Sequence, residues 1–108
     1  MSSGVERFLA LLQAGKDSPL LRYSLGAEYL KLDDTASALE HLERALDAEP
    51  NHSAAWKLYG KALAQAGEHA QARDAFERGI LVAEARGDAQ ALKEMRVFKR
   101  RAEKVLAI

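Results

Sequence analysis

An all-α fold, about six antiparallel helices stacked as an α-solenoid, is what the sequence predicts, and three observations predict it. Ala (21) and Leu (16) fill over a third of the 108 residues, and with Glu, Lys and Arg they reach 63, whereas Val, Ile and Thr total seven. That composition favours helices and excludes a sheet protein. Gly15, Pro50, Gly67 and Gly87 stand where helices would stop, and Pro19 where one would start. The sequence also matches itself at an offset of 34 residues, as in architectures whose units bury their apolar faces only against copies. Gly26 falls on Gly60, Ala38 on Ala72, Glu43 on Glu77 and Arg44 on Arg78, while Tyr29 meets Leu63, Leu42 meets Phe76 and Leu46 meets Ile80.

Each helix has its own start and stop signals. Val5, Phe8, Leu9, Leu11 and Leu12 make a short amphipathic stretch closed by Gly15. Ser18 before Pro19 is an N-cap with proline at the first helical position, and Leu21, Leu25 and Tyr29 carry a helix to about Lys31, where Asp33-Asp34 breaks it. Another runs from about Thr35 to Ala48, with Ala38, Leu42, Ala45 and Leu46 on one face, until Pro50. Asn51-His52-Ser53 is formally a glycosylation acceptor but reads as a helix start, with Asn51 or Ser53 as the N-cap. That helix ends near Ala66, before Gly67 as a left-handed cap, and the next spans about His69 to Arg86, before Gly87. With Glu84 where the first unit has Pro50, this last helix should run about a turn longer. Leu92, Met95, Phe98, Ala102 and Val105 form a final helix from an Asp88 N-cap.

Trp56, Tyr59, Gly60, Leu63, Ala72, Phe76 and Gly79 stand at the spacing of a tetratricopeptide repeat (TPR), and the chain resembles that family. The first unit repeats the pattern through Leu25, Gly26, Tyr29, Ala38, Leu42, Ala45 and Pro50, with Arg22 in place of the signature Trp. The resemblance implies one domain over 1–108, with repeat one at about 19–52, repeat two at about 53–86 and a capping helix at about 88–107. At the 34-residue offset Lys93 and Glu94 would replace the apolar residue and the glycine, so the last helix reads as a cap. Small residues at 26, 60, 38, 72, 45 and 79 permit close helix approach, and Leu42, Trp56 and Phe76 fill the wider gaps.

Chemistry has few footholds. No cysteine is present, and His41, His52 and His69 lack metal-ligand spacing, so neither a metal nor a cofactor is expected. Gly15-Lys16 lacks the rest of a phosphate loop, there is no GxSxG, and no catalytic residue can be named. No apolar run approaches a membrane span or an export signal, so the expectation is a cytoplasmic protein with no membrane partner. Formal charge is zero. Residues 19–52 nevertheless hold three basic and seven acidic groups, and residues 88–108 six basic and three acidic.

The family resemblance implies a non-catalytic adaptor that binds a protein or peptide in a concave groove. By that resemblance Leu20, Tyr23, Ala27, Leu30 and Lys31 line it from repeat one, and Ala54, Lys57, Lys61, Ala64 and Gln65 from repeat two. An apolar floor with three lysines and no acid suits an acidic or carboxylate-bearing partner. Two further readings use the charge asymmetry. The basic last helix could meet nucleic acid, or it could meet the acidic 35–48 helix of another copy in a homo-oligomeric scaffold.

Overall fold

The structure, a computed structural model, describes residues 3–108 and holds six helices there: α1 Ser3–Gln13, α2 Pro19–Lys31, α3 Thr35–Ala48, α4 Ser53–Gln65, α5 His69–Arg86 and α6 Ala89–Ala107. Successive helices pack against each other from α1 to α6. Two further contacts set the curvature. α2 touches α4 and α4 touches α6, whereas among the described residues α3 and α5 do not meet. The row α2, α4, α6 is therefore the inner side of the stack and α3 and α5 the outer side.

The caps explain why the helices begin where they do. Ser18 Oγ accepts from Leu21 N at 3.0 Å, His52 Nδ1 from Ala55 N at 3.1 Å, and Asp88 Oδ1 from Ala91 N at 3.1 Å. Each inner-row helix thus carries the same side-chain cap, three residues ahead of the amide it satisfies. The cap of α4 is His52, not Asn51 or Ser53: imidazole Nδ1 supplies the acceptor, while the Ser53 hydroxyl donates to Asp88 Oδ2 at 2.7 Å. That bond first, and the Ala91 amide second, hold the Asp88 carboxyl below its usual range. After α4 and α5 the chain turns through Gly67 at φ +82° and Gly87 at φ +72°. After α2 the same turn is made by Asp33 at φ +59°, an uncommon conformation for a residue with a side chain.

Packing rests on glycine. A Cβ on Gly26 would lie 2.5 Å from Leu42 Cγ, and one on Gly60 would strike the Phe76 ring. The first and second helices of each unit therefore meet where glycine removes a side chain, and Leu42 and Phe76 are fully buried there. On α5, a Cβ on Gly79 would collide with Met95 Sδ of α6 and lie 2.7 Å from Trp56 Cβ of α4. One core joins Leu63, Ala72, Phe76, Ala83, Ala91 and Met95 across α4, α5 and α6, and another joins Ala38, Leu42 and Ala62 across α3 and α4, with Tyr29 and Leu30 of α2 packed against it. α1 buries Val5 and half-buries Phe8, Leu9 and Leu12, leaving Leu11 exposed.

α6 is more closely related to α2 and α4 than a 34-residue offset suggests. α5 has 18 residues against 14 in α3, the extra turn expected from Glu84, but the linker after it is shorter. Helix starts Ser53 and Ala89 are consequently 36 residues apart. In that register buried Ala91 corresponds to Ala55 and Met95 to Tyr59, and Arg96 takes the position of Gly60. Arg96 is exposed and reaches Glu84 of α5 at 3.7 Å. α6 is therefore an inner-row helix with a charged side chain where α2 and α4 carry glycine.

Candidate functional site

Repeat one contributes a mixed face. Leu20 is 68% exposed, Tyr23 is half-buried with its ring 4.8 Å from that of His52, and Ala27 and Leu30 are half-buried. Lys31 is exposed, 3.8 Å from Glu28. From repeat two, Ala54 and Ala64 are half-buried, and Gln65 is exposed with its amide donating to Asp33 Oδ1 at 2.9 Å.

The lysines of α4 have different surroundings. Lys57 Nζ lies 2.9 Å from Glu94 Oε1 on α6, so an acid does stand on this face and neutralises that cation. Lys61, one turn on, is exposed with Nζ 5.4 Å from the centre of the Phe98 ring. Arg101 Cζ is 5.6 Å from the same centre. Such cation–π contacts at an exposed site contribute about 0.5–1 kcal/mol each. Phe98 also packs on Phe76, with ring centres 5.7 Å apart.

These contacts enclose a cleft of about 260 Å³ between the C-terminal ends of α4 and α6 and the start of α5. Lys61, Ala64, Phe76, Phe98, Arg101 and Val105 line most of it, with His69 at its edge and no acidic residue in its wall. Among the described residues no carboxylate lies within ion-pair distance of Lys61 or Arg101, whereas Lys57, Arg96 and Lys99 each have one. Sequence reasoning missed Glu94, Phe98 and Arg101 as parts of this face. The signal that could have found them is the cap series Ser18, His52, Asp88, which identifies α6 as an inner-row helix.

A second polar cluster lies on the opposite edge, between the start of α2 and α3. The Arg22 guanidinium donates to both Asp17 oxygens, at 2.9 and 3.0 Å, and its third nitrogen lies 3.1 Å from His41 Nδ1. His41 is buried and stacked on Tyr29, with rings parallel and 5.5 Å apart. Burial first, and the neighbouring guanidinium second, push the His41 imidazole below its usual range, so it stands neutral with Nδ1 as acceptor. The Asp17 hydrogen bond correspondingly holds Arg22 charged. Every buried side-chain nitrogen and oxygen among the described residues has a hydrogen-bond partner. Among the described residues no helix is long and apolar enough to cross a membrane.

Comparison with known proteins places these features among relatives. The family described as Tetratricopeptide repeat matches residues 23–91. The chain is 46% identical over 104 residues to the TPR repeat-containing protein PA0015 of Pseudomonas aeruginosa, covering 96% of each chain. The solution structure of protein BPP2914 from Bordetella parapertussis superimposes with a TM-score of 0.85 at 44% identity, over 96% of this chain and 90% of that one. A crystal structure of a tetratricopeptide repeat domain protein from Salinibacter ruber gives 0.75 at 30% identity, over 82% and 99%.

Proposed function

Because the chain belongs to the tetratricopeptide repeat family, we propose that it is a non-catalytic adaptor that binds a protein segment along the inner row α2, α4 and α6. Domains of this family serve as protein-interaction modules. The observation that carries the reading is the half-buried floor of Ala27, Leu30 and Ala64 between the exposed cations Lys31 and Lys61. A bound segment would remove more apolar area from water there and meet the positive charge of Lys61, since Glu94 pairs with Lys57 and Glu28 lies 3.8 Å from Lys31. The partner that fits is an acidic or carboxylate-bearing segment, and the cytoplasm is the compartment proposed for it.

The test compares two charge-reversed baits. Ala27→Glu with Lys31→Glu changes the inner face of repeat one without altering a fully buried residue, and Arg100→Glu with Lys104→Glu changes exposed positions of α6. Both should keep wild-type circular dichroism. Partners captured by the wild type should be lost from the first bait and retained by the second. The reverse pattern would move the binding site to the basic helix and overturn the groove.

A further inference from the structure

We propose that the cleft between α4, α5 and α6 is a seat for a carboxylate beside a bulky apolar side chain, supplied by an acidic segment of the partner protein. The inference deepens the adaptor reading and rests on it. Its basis is a comparison within the molecule. At the equivalent place one unit earlier, between α2, α3 and α4, the chain makes its own contact: Gln65 of α4 donates to Asp33 in the turn after α2, at 2.9 Å. Both partners differ in the second site. Gly67 replaces Asp33 at the 34-residue offset, and Arg101 replaces Gln65 in the 36-residue register of α6.

The acceptor has therefore been deleted and the donor made cationic. What remains is a mouth with Arg101 and Lys61 over one aromatic ring, no acid in its wall, and an apolar floor of Ala64, Phe98 and Val105. A carboxylate placed where the Asp33 carboxylate stands one unit earlier would meet a guanidinium and an ammonium, an ion pairing that the neutral Gln65 amide cannot make. An adjacent Leu, Ile or Phe of the same segment would enter the cleft of about 260 Å³ and cover the exposed part of Phe98. Charge complementarity specifies an acidic segment, and cleft volume specifies the apolar neighbour.

The test selects binders from a random peptide library on the immobilised full chain and measures the affinity of the peptides recovered. Enriched sequences should carry Asp or Glu within two positions of a bulky apolar residue. Their affinity should fall at least tenfold on replacing that carboxylate by its amide, in Arg101→Gln, and in Gly67→Asp. The last variant supplies an internal carboxylate, in a backbone conformation that Asp33 already adopts. Both protein variants should retain wild-type circular dichroism, and Arg101→Gln, at an exposed position, keeps the test valid should Gly67→Asp unfold. Peptides without acidic enrichment, or indifferent to both variants, would overturn the cleft. If such peptides are nevertheless lost from Ala27→Glu with Lys31→Glu, the groove stands without it. A selection that yields no binder overturns both.

Discussion

The two repeats reach the same packing by opposite chemistry at one pair of positions. In repeat two Trp56 half-buries its indole against α5 and donates Nε1–H back to the Pro50 carbonyl at 2.8 Å. In repeat one Arg22 occupies that position, donates back to Asp17, and leans on His41, where repeat two has only Ala75. Both side chains are flat, both carry N–H groups at the far end, and both tie the first helix to the linker before it. The comparison teaches that the signature tryptophan stands for a shape with a terminal donor. A guanidinium can supply that shape if its charge is paired and the space beyond is filled by a neutral imidazole.

Phe76→Ala should have the largest effect on this comparison. The ring is buried against the bare backbone of Gly60, which cannot move in to fill the space, so the loss should be about 3–5 kcal/mol by urea denaturation. Leu42→Ala in repeat one, a smaller side chain in the equivalent place, should cost less. Equal losses would show that the two units do not share a common packing scheme.

Exchanging the polar pair for the apolar one is the next step down. Arg22→Trp alone strands buried His41, and His41→Ala alone leaves a gap beside the guanidinium; each should cost about 1–3 kcal/mol. The double variant reproduces the Trp56 and Ala75 pair and should lose at least about 1 kcal/mol less than the sum. Additive losses would mean that the two residues act separately.

The same pair makes stability depend on pH in repeat one. Because folding lowers the His41 pKa from its usual 6.5, the unfolded chain binds the proton more tightly. Stability should therefore be full above that value and be lost as pH falls below it, until the folded imidazole is itself protonated. Urea midpoints at pH 7.5 and 5.5 should differ in the wild type, and this component should vanish in the Arg22→Trp, His41→Ala variant. A wild-type midpoint that holds steady or rises in acid would contradict a neutral, buried His41.

The smallest predicted effect is a gain. Asp34 caps α3 through Ser37 N at 3.2 Å, while Glu68, its counterpart before α5, makes no side-chain cap bond. Glu68→Asp should add about 0.5–1 kcal/mol, visible as a raised melting temperature. No change would mean that the α5 terminus does not accept the cap geometry found at α3.

Much of the architecture is local and therefore legible. Pro19, Gly67, Gly87 and the 34-residue coincidences of Gly26 with Gly60 and Leu42 with Phe76 located the helices and the close contacts, because each acts within a turn or at a fixed register. The candidate site was legible only for the α2 and α4 residues. Its α6 half depends on a two-residue shift that arises when one helix gains a turn and the following linker shortens, so neither Lys57 with Glu94 nor Lys61 with Phe98 could be paired by counting. His52 escaped for a different reason. An imidazole is a rare cap, and only its register with Ser18 marks it.

Arg96 carries a consequence for how such stacks end. If a solenoid is regarded as a chain of additions, each inner-row helix either admits the next helix or refuses it, and the deciding residue is the one facing the vacant side. Gly26 and Gly60 admit; Arg96, exposed and held toward Glu84, refuses. A further outer-row helix would meet the Arg96 side chain where α5 meets the bare backbone of Gly60. Lengthening the protein would begin with a glycine at position 96.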